Sequence, residues 1–301
     1  MATETQIRHF DPTEVHRFAR DVLVGNGVEA EQAEIVARCL VAADLRGIDT
    51  HGVNRIPSYM ERIRQGVLDA KAVPTIIQTT PVVAQIDGHN GFGFLAASLG
   101  IDRGIQMAKE FGIGMVAVKH SNHFDMAPSI AARGKIYKAK RRGEKIPSDW
   151  ALDGEGFPTD DPTRALEGVM LPMGGPKGSA LAIMMDVFSG VLSGSAFAGN
   201  VTGPYDPSKA ADVGHFLVVL KPDLFMSLEE FKDRMDYLYQ RVVDSERRPD
   251  FDRIYFPGEI EQMTEEKRKR EGIPYAAGEV ETLNKEAEKV GVTLLTARSS
   301  E

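Results

Sequence analysis

The 301-residue chain contains one cysteine, Cys39, and one tryptophan. A lone cysteine excludes an intramolecular disulfide and any cysteine-built zinc cage. Cys39 falls on the apolar side of a predicted helix, where a buried, inert thiol is expected rather than a nucleophile. Positive charge is also scarce: 36 Lys and Arg stand against 44 Asp and Glu, for a net charge of -8. Such a balance does not suit nucleic acid or an anionic membrane as partner. Long charge-free apolar runs are missing too. The most apolar window, residues 179–199, carries Asp186 and several glycines, and it reads as a buried helix with a glycine-rich exit. The N-terminal MATETQIRHF lacks the apolar core of a secretory signal, so a soluble cytoplasmic protein is expected. No G-x-G-x-x-G joins a strand to a helix, and the P-loop order is absent; neither a Rossmann site nor a P-loop is supported. The chain also has no internal repeat and no low-complexity tract.

What is present is an α/β alternation long enough for one large domain or two. Asp11-Pro12 opens a helix whose apolar residues Val15, Phe18, Ala19, Val22 and Leu23 recur at helical spacing until Gly25. A second helix is predicted over 29–45 and a third from near Arg55 to Gly66. Residues 75–78 and 82–87 read as short strands, 92–111 as a helix and 115–118 as a strand. That strand delivers His120-Ser121-Asn122-His123 at its carboxyl end, where α/β sheets collect ligands. A helix over 126–142, a long Gly/Pro/Asp-rich loop over 146–175 and an apolar helix from Lys177 to Phe188 follow. A strand over 215–220 and helices over 227–243, 264–270 and 280–290 complete the chain.

Three clusters carry the residue types that chemistry needs. In Asp49-Thr50-His51-Gly52-Val53-Asn54-Arg55, a histidine can pass a proton near neutral pH and an arginine can grip a carboxylate with two donors. A helix starting at Thr50 would place both on one face; a plain helix cap with solvated charges is the bland alternative. In the second cluster His120 and His123 lack the carboxylate or cysteine that would complete a metal site. Acid–base or carbonyl hydrogen-bonding use is more plausible there, against a simple Ser/Asn-capped turn. In the third, Gly174-Gly175-Pro176-Lys177-Gly178-Ser179 puts glycines and a cation at a helix start, which suits an anion or is only a glycine-rich turn.

In this order the segments resemble the malate/L-lactate dehydrogenase family that lacks a Rossmann fold. The matching stretches are AADLRGIDTHGVNRIPSY (42–59), GIGMVAVKHSNHF (112–124), DMAPSIAARGKI (125–136), GEKIPSDWALDGEGFPTDDP (143–162), LPMGGPKGSALAIMMDVFSGVLSG (171–194), GHFLVVLKP (214–222) and FPGEIE (256–261). The resemblance implies a non-Rossmann NAD(P)-binding α/β fold of the sulfolactate/malate dehydrogenase type, a mixed sheet with flanking helices. It implies three regions: an N-terminal helical part (1–75) packing with the C-terminal part, a cofactor-binding α/β domain (76–220) and a mainly helical C-terminal part (221–301). It further implies a homodimeric oxidoreductase using NAD or NADP on a small carboxylate substrate: a 2-hydroxy acid, a 2-oxo acid or a cyclic imino acid. By the same likeness His51 and His123 match the catalytic histidines and Arg55 the carboxylate-binding arginine. His120, Asp125, Met126, Ala127, Lys177, Pro257, Gly258 and Glu259 match cofactor-lining positions. One departure stands out: the family continues past the HSNHF strand end through a helix and further strands, whereas here Phe124 abuts Asp125 directly. That join should remove sheet strands, leave neighbouring strands with unpaired edges and take away polar groups near the nicotinamide. A catalytically impaired relative serving as a binding or dimerising scaffold is the alternative it raises.

Overall fold

The computed structural model describes residues 7–124 and 132–298. Strand β1 (Ile7–Phe10) leads into α1 (Pro12–Gly25), whose first turn is capped by the Asp11 carboxylate accepting from the Thr13 N–H. Helix α2 (Ala30–Leu45) packs back on α1, and α3 (Ile56–Arg64) follows a 3-10 turn at Val53–Arg55. The third helix therefore begins later than a start at Thr50 would have it; residues 50–52 form a turn, and His51 stands before the helix rather than on its face.

Strands β2 (Thr75–Thr80) and β3 (Val83–Asp87) form an antiparallel pair. Helix α4 (Gly93–Phe111) crosses from β3 to β4 (Ile113–Ser121), which lies parallel to β3. A parallel pair needs such a crossover, because a tight turn cannot reverse the chain twice. Alternate residues Val116 and Val118 of β4, with Ala84 and Ile86 of β3, pack on Ala96 and Met107 of α4. After β4, α5 (Ala132–Arg142) and α6 (Pro162–Glu167) enclose a small core of Ile136, Ala139, Ile146, Ala151 and Ala165. The stretch 146–175 is thus not wholly loop: it holds α6 and two isolated β-bridges.

Helix α7 (Pro176–Asp186) continues into a π-helical turn at Val187–Val191, and β5 (Val213–Leu220) adds to β4 antiparallel, giving the sheet order β2-β3-β4-β5. Beside the join, then, β4 is paired on both sides, and among the described residues β2 and β5 are the edge strands of this sheet. Helix α8 (Leu228–Val243) is capped by Ser227, and α9 (Glu259–Glu271) starts five residues earlier than the apolar pattern suggested. Strand β6 (Ile273–Ala276), which like β1 the pattern did not reveal, pairs with β1 before α10 (Ala277–Val290). The largest core joins both chain ends: Phe10, Phe18, Leu40, Ile56 and Tyr59 pack with Tyr275, Leu283 and Ala287.

Two packing expectations need correction or refinement. Cys39 is only half-buried against that core, where burial raises its thiol pKa. Helix α7 is not buried at all: Leu181, Ile183, Met184 and Met185 are exposed. Its composition is apolar all round, so no single face marks an inside, and among the described residues no layer buries it.

Candidate active site

The site grows from the end of α2. Asp44 is fully buried, and its Oδ2 accepts from the Val53 N–H at 2.8 Å and the Tyr275 hydroxyl at 2.6 Å. Its main-chain oxygen accepts from Arg268, which also pairs with Asp49. Burial drives the Asp44 carboxyl up to about 7 and the Tyr275 phenol well above its usual range. Because Val53 lies between His51 and Arg55, Asp44 fixes the turn that presents both. Gly52 allows this approach, since a Cβ there would overlap the Asp44 carboxylate.

His51 and Arg55 are both buried on that turn. The Thr50 hydroxyl lies 2.8 Å from His51 Nδ1, and Arg55 Nε donates to the Thr50 carbonyl at 2.6 Å. The Arg55 guanidinium sits 4.6 Å from the ring centroid of Tyr205. Its Nη1 is buried and has no hydrogen-bond partner among the described residues. A buried donor on a permanent cation is costly unless something completes it, so this atom points to an anionic ligand.

His123 reaches the same place from the opposite side. Beyond β4 the chain is anchored by Asn122, whose Nδ2 donates to the carbonyls of Asn90 and Gly91 at the entry to α4. His123 then stacks on His51, ring centroids 5.5 Å apart and planes 15° apart, and its Nδ1 lies 2.8 Å from the Tyr59 hydroxyl. Tyr59 is in turn wedged edge-on between Phe92 and Phe94. Each histidine is therefore oriented by a hydroxyl at Nδ1.

The structure brings together His51, Arg55 and His123, while the other candidates have different partners. His120, strained at φ 50°, turns to Asp87 at 3.1 Å and is half-exposed, with His89 and Lys119 around the same carboxylate. Lys177 occupies the exposed first turn of α7. There Gly178 is required, because a Cβ would strike the Met173 carbonyl. Pro257 and Gly258 precede α9, and the Glu259 carboxylate is occupied by Tyr239, Arg253 and the Phe256 N–H. Asp125, Met126 and Ala127 lie outside the described residues. Sequence reasoning gave no role to Tyr59, Asp44 or Tyr205. Only Tyr59 left a local signal, one helical turn after Arg55.

A second group of unpartnered buried atoms surrounds the junction of β4 and β5: Ser121 Oγ, Thr202 Oγ1, Asp212 Oδ1 and His215 Nε2. Ser121 pairs with Val213 in the sheet, and the His215 ring packs on Phe124 at 4.2 Å beside His123. Burial pushes His215 down to about 4. Donors and acceptors left open at one place fit a planar, amide-bearing ligand that can engage both kinds.

The family model for malate/L-lactate dehydrogenases matches residues 10–124 and 124–284, two stretches that meet at the join. The malate/(S)-sulfolactate dehydrogenase of Methanothermus fervidus is 30% identical over 338 positions, covering 94% of this chain and 98% of the relative. Since 94% of 301 residues is about 283, roughly 55 of those 338 positions have no counterpart here. The solved sulfolactate dehydrogenase from Methanocaldococcus jannaschii superposes with a TM-score of 0.87 at 30% identity, covering 96% of this chain and 98% of that one. Some relatives carry a coenzyme in their names. Ureidoglycolate dehydrogenase (NAD(+)) of Escherichia coli is 28% identical, covering 86% of this chain and 90% of its own. (2R)-3-sulfolactate dehydrogenase (NADP(+)) of Chromohalobacter salexigens is 29% identical, covering 77% and 86%.

Proposed function

The chain belongs to the malate/L-lactate dehydrogenase family, and from that premise we propose that it is an NAD(P)-dependent oxidoreductase acting on a small 2-hydroxy or 2-oxo acid. A cyclic imino acid with the same carboxylate is the nearest variant. The observation that carries the reading is the buried, uncompleted Nη1 of Arg55 beside two stacked histidines. When bound, the nicotinamide supplies or accepts a hydride at the substrate carbon. The protein's part is to hold that carbon and manage the proton.

Arg55 grips the carboxylate and thereby fixes the neighbouring C–O bond against the histidines. In the reducing direction His51 or His123 gives a proton to the substrate oxygen; in the oxidising direction it takes that proton back. Thr50 and Tyr59 hold the two rings in place through Nδ1. Ser121, Thr202, Asp212 and His215 suit the carboxamide end of the coenzyme. Lys177 and the start of α9 suit its phosphates, being a cation and a helix N-terminus.

We further read the enzyme as a cytoplasmic homodimer, the exposed apolar face of α7 being the surface a second copy would cover. Among the described residues no helix is long and apolar enough to cross a membrane. No observation favours a silent scaffold. The deciding assay follows NADH and NADPH oxidation over a panel of 2-oxo acids, cyclic imino acids and the matching amides. Turnover on an acid with its amide rejected supports the proposal; no turnover on any acid with either coenzyme overturns it.

A further inference from the structure

Arg55, at the N-cap of α3, and Ser58 and Arg62 within it stand at i, i+3 and i+7, one stripe along its side. All three meet the same distant segment, residues 203–209. The Ser58 hydroxyl donates to the Pro204 carbonyl. Arg62, only 2% exposed, donates to the carbonyls of Gly203, Asp206 and Lys209. A buried guanidinium directed at main-chain oxygens is an unusual use of a cation, and it fixes this segment to the helix. The segment forms no helix or strand; its own ties are a turn closed by the Asp206 N–H on the Gly203 carbonyl and the Ser208 N–H on the Asp206 carboxylate. Arg62 and Ser58 pin that turn to the helix and deliver Tyr205, itself 65% exposed, so that the Arg55 guanidinium carbon lies over its ring, 4.6 Å from the centroid.

We propose that residues 203–209 form a strap pinned by Ser58 and Arg62, and that Tyr205 on it is a positioning residue which holds the Arg55 guanidinium plane for carboxylate binding. The inference rests on the reading of Arg55 as the carboxylate clamp. Its physical basis is the shape of the group. A guanidinium is held at one edge by Nε, which donates to Thr50, and can still rotate about that edge. Two-point recognition of a carboxylate needs the plane fixed. An aromatic face 4.6 Å away supplies the second constraint without using any of its N–H donors. Tyr205 thus leaves Nη1 available while shielding the cation from water on one side.

The exposure of Tyr205 makes the test clean, because replacing it removes no core contact. The probe is oxalate, a small planar diacid, with its neutral diamide oxamide as control, titrated calorimetrically into the full chain. Tyr205→Leu should weaken oxalate about tenfold, within the range of a partly desolvated cation–π contact, while leaving oxamide and the melting temperature unchanged. Tyr205→Phe, which keeps the ring face, should restore oxalate affinity to within about twofold. In turnover the same loss should appear in KM for the preferred acid with kcat little changed. Arg55→Lys tests the clamp itself. If it leaves oxalate affinity unaltered, the carboxylate reading fails. If it weakens oxalate while Tyr205→Leu does not, the clamp stands and the role of Tyr205 is overturned. In the Arg55→Lys background, Tyr205→Leu should add less than it does alone, since lysine has no plane to hold. Full additivity would equally overturn the proposal.

Discussion

His51 and His123 face one another with nearly parallel rings, each tied through Nδ1 to a hydroxyl. Removing whichever ring moves the proton should lower kcat by about 100-fold or more. Removing a ring that only supports the other should affect kcat far less. His51→Ala and His123→Ala, compared by steady-state turnover, separate the roles; two variants each within twofold of the wild type would remove both from the chemistry. Asp44 and His215 allow a second prediction at this scale. Folding raises the Asp44 pKa from 3.8 to about 7, so its stabilising contribution is fully present below 3.8 and lost as pH rises through 7. Folding lowers the His215 pKa from 6.5 to about 4, so its contribution is present above 6.5 and lost as pH falls through 4. The upper limits are about 4 and about 3 kcal/mol, opposite in sign over nearly the same interval. They largely cancel in the wild type. Asp44→Asn keeps an oxygen for Val53 and Tyr275 but cannot ionise, so it should expose the His215 effect. Denaturant unfolding at pH 4.5 and 7.5 should show the variant gaining stability with pH more steeply than the wild type; parallel slopes would reject this account.

At the scale of elements, the sequence exposed whatever carried its own signal. Asp11 and Ser227 announced α1 and α8 because a cap is a local event between neighbours in the chain. Strands β1 and β6, four residues each, find their partners at opposite ends of the chain, and no periodicity can develop over so short a run. The His51–Arg55 cluster was legible as chemistry, but its geometry was not. Asp44 holds the chain in a turn until Val53, and the helix starts only afterwards. Tyr205 gave no signal because its meaning lies in a cation far away in sequence. Helix α7 misled for a different reason: an all-round apolar helix implies burial but not by what. If a second copy covers it, Ile183→Glu should shift the protein from dimer to monomer in sedimentation without lowering monomer stability, since Ile183 is exposed in the single copy. A dimer unaffected by that charge would place the interface elsewhere.

The whole molecule is shaped by the join after Phe124. Roughly 55 positions present in the relative have no counterpart, yet β4 retains partners on both sides and still delivers His123 to His51. The residues we propose for proton transfer and carboxylate binding therefore stay together. Any deficit falls on two other places. One is β5, whose outer edge is unpaired and whose Val218 and Leu220 are exposed. The other is the cluster of Ser121, Thr202 and His215, whose buried polar atoms have no partner among the described residues. A ring held by fewer contacts leaves the near-attack geometry more often, and that geometry can be worth about 7–11 kcal/mol of barrier. In the proposed reading, dinucleotide affinity depends more on the far end, at Lys177 and the start of α9, which lie far along the chain from the join. Inserting the missing stretch from a relative between Phe124 and Asp125 should therefore raise turnover much more than coenzyme affinity. It should also slow amide exchange along Val213–Leu220, while Met115–Val118, already paired on both sides, changes little. Vigorous turnover with tight coenzyme binding in the chain as it stands would show instead that the residues around the β4–β5 junction have taken over the nicotinamide end of the site.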